Sequence, residues 1–192
     1  MSIIETSQSL RKEMEKTLKP DRFDHTLGVA YTAANMAAVH GCNVEKALIA
    51  GMLHDCAKNM SHDEQLTICT KKKIPVTDVE KQNKGLLHAK VGAYLAENKY
   101  NIRDPEILDA IRYHTTGRPD MTLLDKIVFI ADYMEPNRKP LPNMAEVRIE
   151  AYKDIDKCLK HILKDTLEYL STTGKALDPM TQRTYDYYNK RG

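Results

Sequence analysis

The stretch KALIAGMLHDCAK, residues 46–58, reads as an apolar helix that carries a histidine and an aspartate, His54 and Asp55, at its end. No segment around it shows sustained period-2 alternation. No Asn-Gly or Asp-Gly hairpin turn appears either, so strands are not expected. Helix punctuation recurs outward from this stretch. Ser61 with Glu64, Thr77 with Glu80, and Asn143 with Glu146 have the spacing of capping boxes. Asp104-Pro105 and Asp178-Pro179 place a capping carboxylate before a proline at the first helical position. Gly41, Gly117 and Gly174 fall where helices should stop. Helices are expected near 3–18, 22–40, 44–57, 62–72, 86–98, 105–115, 122–134, 144–151, 154–172 and 179–189. Residues 135–143, EPNRKPLPN, hold three prolines and must form a loop. Residues 71–84 read as a polar connector. The expected fold is all-α.

A chain of 192 residues fits one domain, with a core over about 19–138 and C-terminal helices over 144–192 packing on it. Hydrophobic residues make up 42% and charged residues 29%, enough to build a core and too little charge for disorder. Lys+Arg number 29 against 27 Asp+Glu, so the balance gives no reason to expect a nucleic-acid or membrane-surface binder. No apolar run approaches the length of a bilayer span, and residues 1–18 mix charges without the apolar segment of a secretory signal. A cytoplasmic protein is expected. Cys42, Cys56, Cys69 and Cys158 form no CxxC pair and read as small buried apolar side chains rather than a disulfide framework or zinc knuckle. The apolar face of the last helices could support a homodimer.

Taken singly, each of the seven histidines would be structural or on the surface. An ordered series changes that weighting. His25 lies in RFDHTLGVA, His54-Asp55 ends the apolar helix above, His88 lies in LLHAKVGAYLA, His114 closes EILDAIRYH, and Asp132 lies in LLDKIVFIADYMEP. Each sits within or at the end of an apolar run and should face the interior. Four histidines and two carboxylates are costly to bury unless something pairs them, and a metal ion or two is the economical partner. Imidazole nitrogen and carboxylate oxygen without thiolate suit Fe, Mn, Zn, Co or Ni. Consecutive helical residues point ~100° apart. His54 and Asp55 can therefore share a metal only at a helix end, unless Asp55 bridges two ions.

Cations flank these positions. Lys58 lies four residues after His54 and three after Asp55, one turn along the same face. Arg22 precedes His25 by three, and Arg138 follows Asp132 in the proline-rich loop. Either of the first two alone would read as a solvated helix end. Together they favour an anionic ligand, and phosphate is the commonest.

The blocks RFDHTLGV, AGMLHDCAK, HAKVGA and IRYHTTGRPDMTLLDKIVFIADYMEPNR, in this order, resemble the YqeK family of bacterial HD-domain phosphohydrolases. The resemblance runs in its strong motifs from about Lys19 to Arg138. It implies an all-α HD-domain helical bundle and symmetrical hydrolysis of diadenosine tetraphosphate to two ADP. It implies that His25, His54, Asp55 and Asp132 hold the principal metal, iron, with one or two ions bound and Mn, Co or Zn as substitutes. His88 and His114 would line a second metal position or the substrate phosphates. Asp55, Lys58, His88 and His114 would carry the catalytic roles. Arg22, Lys58, Thr115 and Arg138 would contact the polyphosphate, beside Asp55, His88, His114 and Asp132. The segment Lys175, Ala176, Leu177, Asp178, Pro179 and Met180 would meet the nucleoside.

The chemistry also stands on the residues. A phosphoanhydride resists water because its charges repel a nucleophile. A metal cation neutralises that charge and lowers the pKa of bound water toward ~7. Two alternatives share these residues. One is another HD phosphohydrolase activity, such as a nucleotide phosphatase or a cyclic-dinucleotide phosphodiesterase. The other is a nucleotide-binding regulator without catalysis, disfavoured because a pure binder need not keep six costly groups facing inward.

Overall fold

The computed structural model describes residues 3–83, 85–174 and 176–190. Their regular elements are helices: α1 Ile3–Thr17, α2 Pro20–His40, α3 Val44–Leu53, α4 His62–Lys72, α5 Asp78–Gln82, α6 Leu87–Asn98, α7 Pro105–Tyr113, α8 Leu123–Met134, α9 Met144–Lys153, α10 Ile155–Thr173 and α11 Pro179–Asn189. No strand occurs among the described residues. The all-α expectation holds.

Local chemistry starts most of these helices. The Ser61/Glu64 and Thr77/Glu80 capping boxes both form, and Thr122 with Asp125 makes a third. Asp104 and Asp178 cap α7 and α11 ahead of their prolines. The Asn143 cap does not form, because its amide instead reaches His161 and Asp165. α5 lies inside the stretch expected to be a connector. Its five residues are too few to show a helical period, and only the capping box marks it. α3 stops at Leu53 rather than near 57. Past it the backbone tightens into i→i−3 bonds, with Cys56 N donating to Leu53 O at 3.1 Å and Lys58 N to Asp55 O at 2.9 Å. α7 likewise stops at Tyr113, with His114 as its C-cap, rather than near 115.

α2 and α3 form the most extensive helix pair. Small residues make this contact close: Ala30, Ala33, Ala47 and Ala50 are buried along it. The tightest approach is at Gly51, where a Cβ would stand 2.7 Å from Ala30 Cα. One apolar core runs from Leu10 and Met14 in α1 through Leu53, Ile111, Ile127 and Ile130 to Leu159, Ile162 and Tyr188 near the C-terminus. Burying each such aliphatic side chain contributes roughly 1.5–3 kcal/mol relative to exposure. A smaller cluster, Ala57, Cys69, Leu87 and Val91, ties α4 to α6.

The last helix sits on the loop that follows His114. Tyr188 Oη accepts from Met121 N–H at 2.7 Å, and Gly117, at φ 64°, leaves room where a Cβ would come within 2.7 Å of Thr184.

Gly51→Ala should therefore destabilise the protein by about 1–3 kcal/mol, the cost of overpacking against backbone. Urea unfolding measures this, and an unchanged midpoint would mean α2 and α3 are free to separate.

Candidate metal centre

The site is built on helix ends. The carbonyls of a last helical turn have no partner within the helix. His54, the C-cap of α3, uses one: its Nδ1 lies 2.7 Å from Gly51 O. A carbonyl only accepts, so Nδ1 carries the proton and Nε2 presents a lone pair. His114 repeats the device at the end of α7, with Nδ1 2.7 Å from Ile111 O. His25 lies inside α2, where carbonyls are engaged by the helix, and its Nδ1 meets Glu135 Oε1 at 3.0 Å instead.

The three Nε2 atoms converge on two aspartates. His25 Nε2 is 3.0 Å from Asp132 Oδ1 and 3.9 Å from Asp55 Oδ2. His54 Nε2 is 3.5 Å from Asp55 Oδ2 and 3.8 Å from Asp132 Oδ1. His114 Nε2 is 3.7 Å from Asp55 Oδ1. Asp55 can point here beside His54 because both lie at the helix end, where the turn has tightened. His25, His54, Asp55, His88 and His114 are all buried, and Asp132 keeps 18% of its side-chain surface.

His88, on α6, differs from the other three rings. Its Nε2 lies 3.0 Å from Asp55 Oδ1 and 3.1 Å from His114 Nε2. Lys58 Nζ, a donor, lies 3.4 Å from its Nδ1 and 3.1 Å from its Nε2, so no acceptor fixes a proton at Nδ1. Burial is the main force that pushes the His88 pKa down to about 4, with Lys58 adding to it and Asp55 opposing. The ring is neutral at neutral pH.

Three cations line the carboxylates. Arg22 Nη1 donates to Asp55 Oδ2 at 2.8 Å, Lys58 Nζ lies 3.8 Å from Asp55 Oδ1, and Arg138 Nη2 donates to Asp132 Oδ1 at 2.8 Å. Burial raises the pKa of both aspartates. Around Asp55, the neighbouring imidazoles of His54, His114 and His88 outweigh it. Around Asp132, the neighbouring imidazoles of His25 and His54 and the Arg138 guanidinium do the same. Both carboxylates are held below their ordinary range.

His25 Nε2, His54 Nε2 and Asp55 Oδ1 are buried without a hydrogen-bond partner. Lone pairs turned toward carboxylates repel unless a proton or cation lies between them. Three overlapping sets hold ligand atoms mutually within 4.8 Å: His25, His54 and Asp55; His54, His114 and Asp132; Asp55, His88 and His114. The donor chemistry fits a divalent metal ion. A fourth cluster, Glu146, Glu150 and His161, is closed by Lys157 and by the His161–Glu150 bond.

The expected phosphate and nucleoside positions divide. Arg22, Lys58 and Arg138 are at the centre. Thr115 shares a cavity of about 70 Å³ with Arg112, Asp178 and Met180. Leu177 faces away, into a cleft with Leu167 and Leu170, and Ala176 and Pro179 are exposed. Lys175 lies outside the described residues. A larger cleft of about 620 Å³, between Tyr133, Leu141 and Tyr169, contains no histidine and lies apart from this chemistry.

Sequence reading missed Glu135. It is buried to 1% exposure, and its Oε2 accepts from Asn137 N–H at 2.7 Å. Two signals were available. Glu135 follows Asp132 by three residues, one turn along, and Gly28 follows His25 by three. A Cβ on Gly28 would lie 2.1 Å from Glu135 Oε2.

A helical bundle with histidines and aspartates from separate helices gathered on one buried point defines a metal-centred class of hydrolase folds. The chain belongs to the HD domain family, whose model matches residues 22–137. Within it, the chain is 40% identical over 174 residues to "Bis(5'-nucleosyl)-tetraphosphatase, symmetrical" of Bacillus subtilis, covering 91% of this chain and 92% of that one. It is 35% identical over 188 residues to the protein of the same name in Staphylococcus aureus, covering 97% and 94%. A solved structure from Clostridium acetobutylicum, described as a "predicted HD superfamily hydrolase involved in NAD metabolism", superposes with a TM-score of 0.93 at 36% identity, over 96% of this chain and 97% of that one. The resemblance drawn from four motifs extends over nearly the whole chain.

Asp132→Ala should weaken metal retention by more than about tenfold, since loss even of a ligand's supporting partner typically costs 10–100-fold. His88→Ala should leave the metal of the His25–His54 side in place. Elemental analysis after dialysis reads both, and equal loss from the two variants would contradict this division.

Proposed function

We propose that this protein hydrolyses diadenosine tetraphosphate at its central phosphoanhydride, giving two ADP. A divalent ion would be held by His25, His54, Asp55 and Asp132. The observation that carries the reading is the division of Asp55. Its Oδ2 faces His25, His54 and Arg22, while its Oδ1 faces His88, His114 and Lys58. One carboxylate thus joins a metal-binding side to a side lined by two imidazoles and a cation. The Bacillus and Staphylococcus relatives, similar over most of their length, carry the corresponding name. Iron is placed first on the resemblance, with manganese, cobalt and zinc also suited to these ligands. Such a substrate places the protein in the cytoplasm, and among the described residues no helix is long and apolar enough to cross a membrane.

The bound ion supplies positive charge at the reacting phosphorus and lowers the pKa of water toward ~7. The chain's own side chains do the rest. Asp55 Oδ1 is buried without a hydrogen-bond partner and accepts from the attacking water. The water oxygen bonds to one inner phosphorus as that phosphorus parts from the central bridging oxygen, which leaves on the second ADP. Lys58 and His88 lie on the same side as Asp55 Oδ1 and donate to phosphate oxygens there, with the His114 Nε2 lone pair beside them. Arg22 and Arg138 neutralise the flanking phosphates and set the register of cleavage. Thr115, Asp178 and Met180, which line a shared cavity of about 70 Å³, would meet one nucleoside.

Product analysis tests this directly. ADP should be the sole nucleotide product. ATP with AMP, nucleoside with phosphate, or preferential turnover of NAD would each contradict it. Chelation should abolish the activity, and Fe, Mn or Co should restore it to different degrees. Asp55→Ala should remove turnover while far-UV circular dichroism stays helical. Arg138→Ala should raise KM by about tenfold or more, the loss of a charge-assisted hydrogen bond, with kcat nearly unchanged. A fall in kcat at constant KM would move Arg138 out of substrate binding.

A further inference from the structure

His25 differs from its partners in where its second ring nitrogen finds an acceptor. His54 and His114 take the free carbonyl three residues back, because each caps a helix. His25 cannot, since it lies in the second turn of α2, a helix that runs on to His40. An acceptor must be brought from elsewhere in the chain. The structure brings Glu135, 110 residues away in sequence, to 3.0 Å from His25 Nδ1.

Glu135 is held for this task on several sides. It is the C-cap of α8, with its N–H bonded to Ala131 O. Its carbonyl accepts from Arg148 at 3.2 Å, and its second carboxylate oxygen accepts from Asn137 N–H at 2.7 Å. Asn137 in turn donates through its amide to Asp24 O at 3.2 Å, closing the turn onto α2. Gly28 leaves the space: any Cβ there would collide with Glu135 Oε2 at 2.1 Å. Burying a carboxylate is costly unless its oxygens are satisfied, and here one oxygen is spent on the backbone and the other on a single imidazole.

We infer that Glu135 is a positioning residue, which accepts from His25 Nδ1–H, fixes the tautomer and aims Nε2 at the metal position, and that Gly28 is the glycine which admits it. This rests on the reading of His25 as a metal ligand. Glu135 itself touches neither metal nor substrate. It performs for a mid-helix histidine what a free carbonyl performs for the two helix-end histidines. Acceptors of this kind orient metal-bound imidazoles, and their loss typically weakens metal binding 10–100-fold.

The test is metal affinity, measured by competition with a chromophoric chelator using Zn²⁺ and Mn²⁺ on the full chain. Wild type, His25→Ala, Glu135→Leu and Gly28→Ala are compared, with thermal unfolding of each metal-free protein. His25→Ala should lose binding, and if it binds as wild type does, the reading of His25 as a ligand fails. With that established, Glu135→Leu, which removes the acceptor, and Gly28→Ala should each weaken binding by about tenfold or more. Gly28→Ala keeps the carboxylate and only displaces it. Wild-type affinity in both variants would overturn the inference alone. Should either variant unfold, the ¹⁵N spectrum of Zn²⁺-loaded wild type decides. His25 protonated at Nδ1 supports the assignment, and protonation at Nε2 overturns it.

Discussion

A buried carboxylate that faces histidines on both sides is the constraint around which this fold is arranged. Asp55 is 2% exposed, and its two oxygens are met by different sets of groups. Desolvating a charge costs several kcal/mol unless geometry and hydrogen bonds offset it. The offset here is spread over four histidines, Arg22 and Lys58, none of which would belong in an apolar interior alone. Three of the cluster's buried atoms lack a hydrogen-bond partner, and all three are lone-pair donors, which is the state expected of ligands rather than of a structural polar network.

The bundle meets this constraint with the ends of its helices. Two of the histidines cap α3 and α7, where unpaired carbonyls hold their outer nitrogens and leave the inner ones free to coordinate. Asp55 follows His54 only because α3 has already stopped, since two consecutive residues in mid-helix could not share a target. Glycines set the distances. Gly51 draws α3 onto Ala30, and Gly28 opens α2 to Glu135. The centre is then held by the helix pair that packs most extensively and by the turn that ends α8.

Much of this was legible in the sequence, for identifiable reasons. Capping boxes at Ser61 and Thr77, and Asp-Pro pairs at 104 and 178, are local chemistry and form as read. The histidine series stood out because polar groups recurred at the buried positions of apolar runs. What escaped was non-local. The Asn143 cap fails because Asp165 and His161, on α10, compete for its amide. α3 was read too long because Cys56 and Ala57 continue its apolar run, although its backbone had tightened. Glu135 was hidden in a proline-rich loop, and its role depends on α2, 110 residues away. Leu177 was placed with the nucleoside segment, yet it packs toward α10, because alternate residues before α11 face opposite sides.

The proposed function requires His25 Nε2, His54 Nε2, Asp55 and Asp132 to converge on one cation. Anomalous diffraction from crystals of the manganese- or iron-loaded protein locates that cation directly. A peak is expected at about 2 Å from each of the four side chains, the length of a coordination bond. A peak held by Glu146, Glu150 and His161 instead, or no peak in protein that turns over substrate, would contradict it.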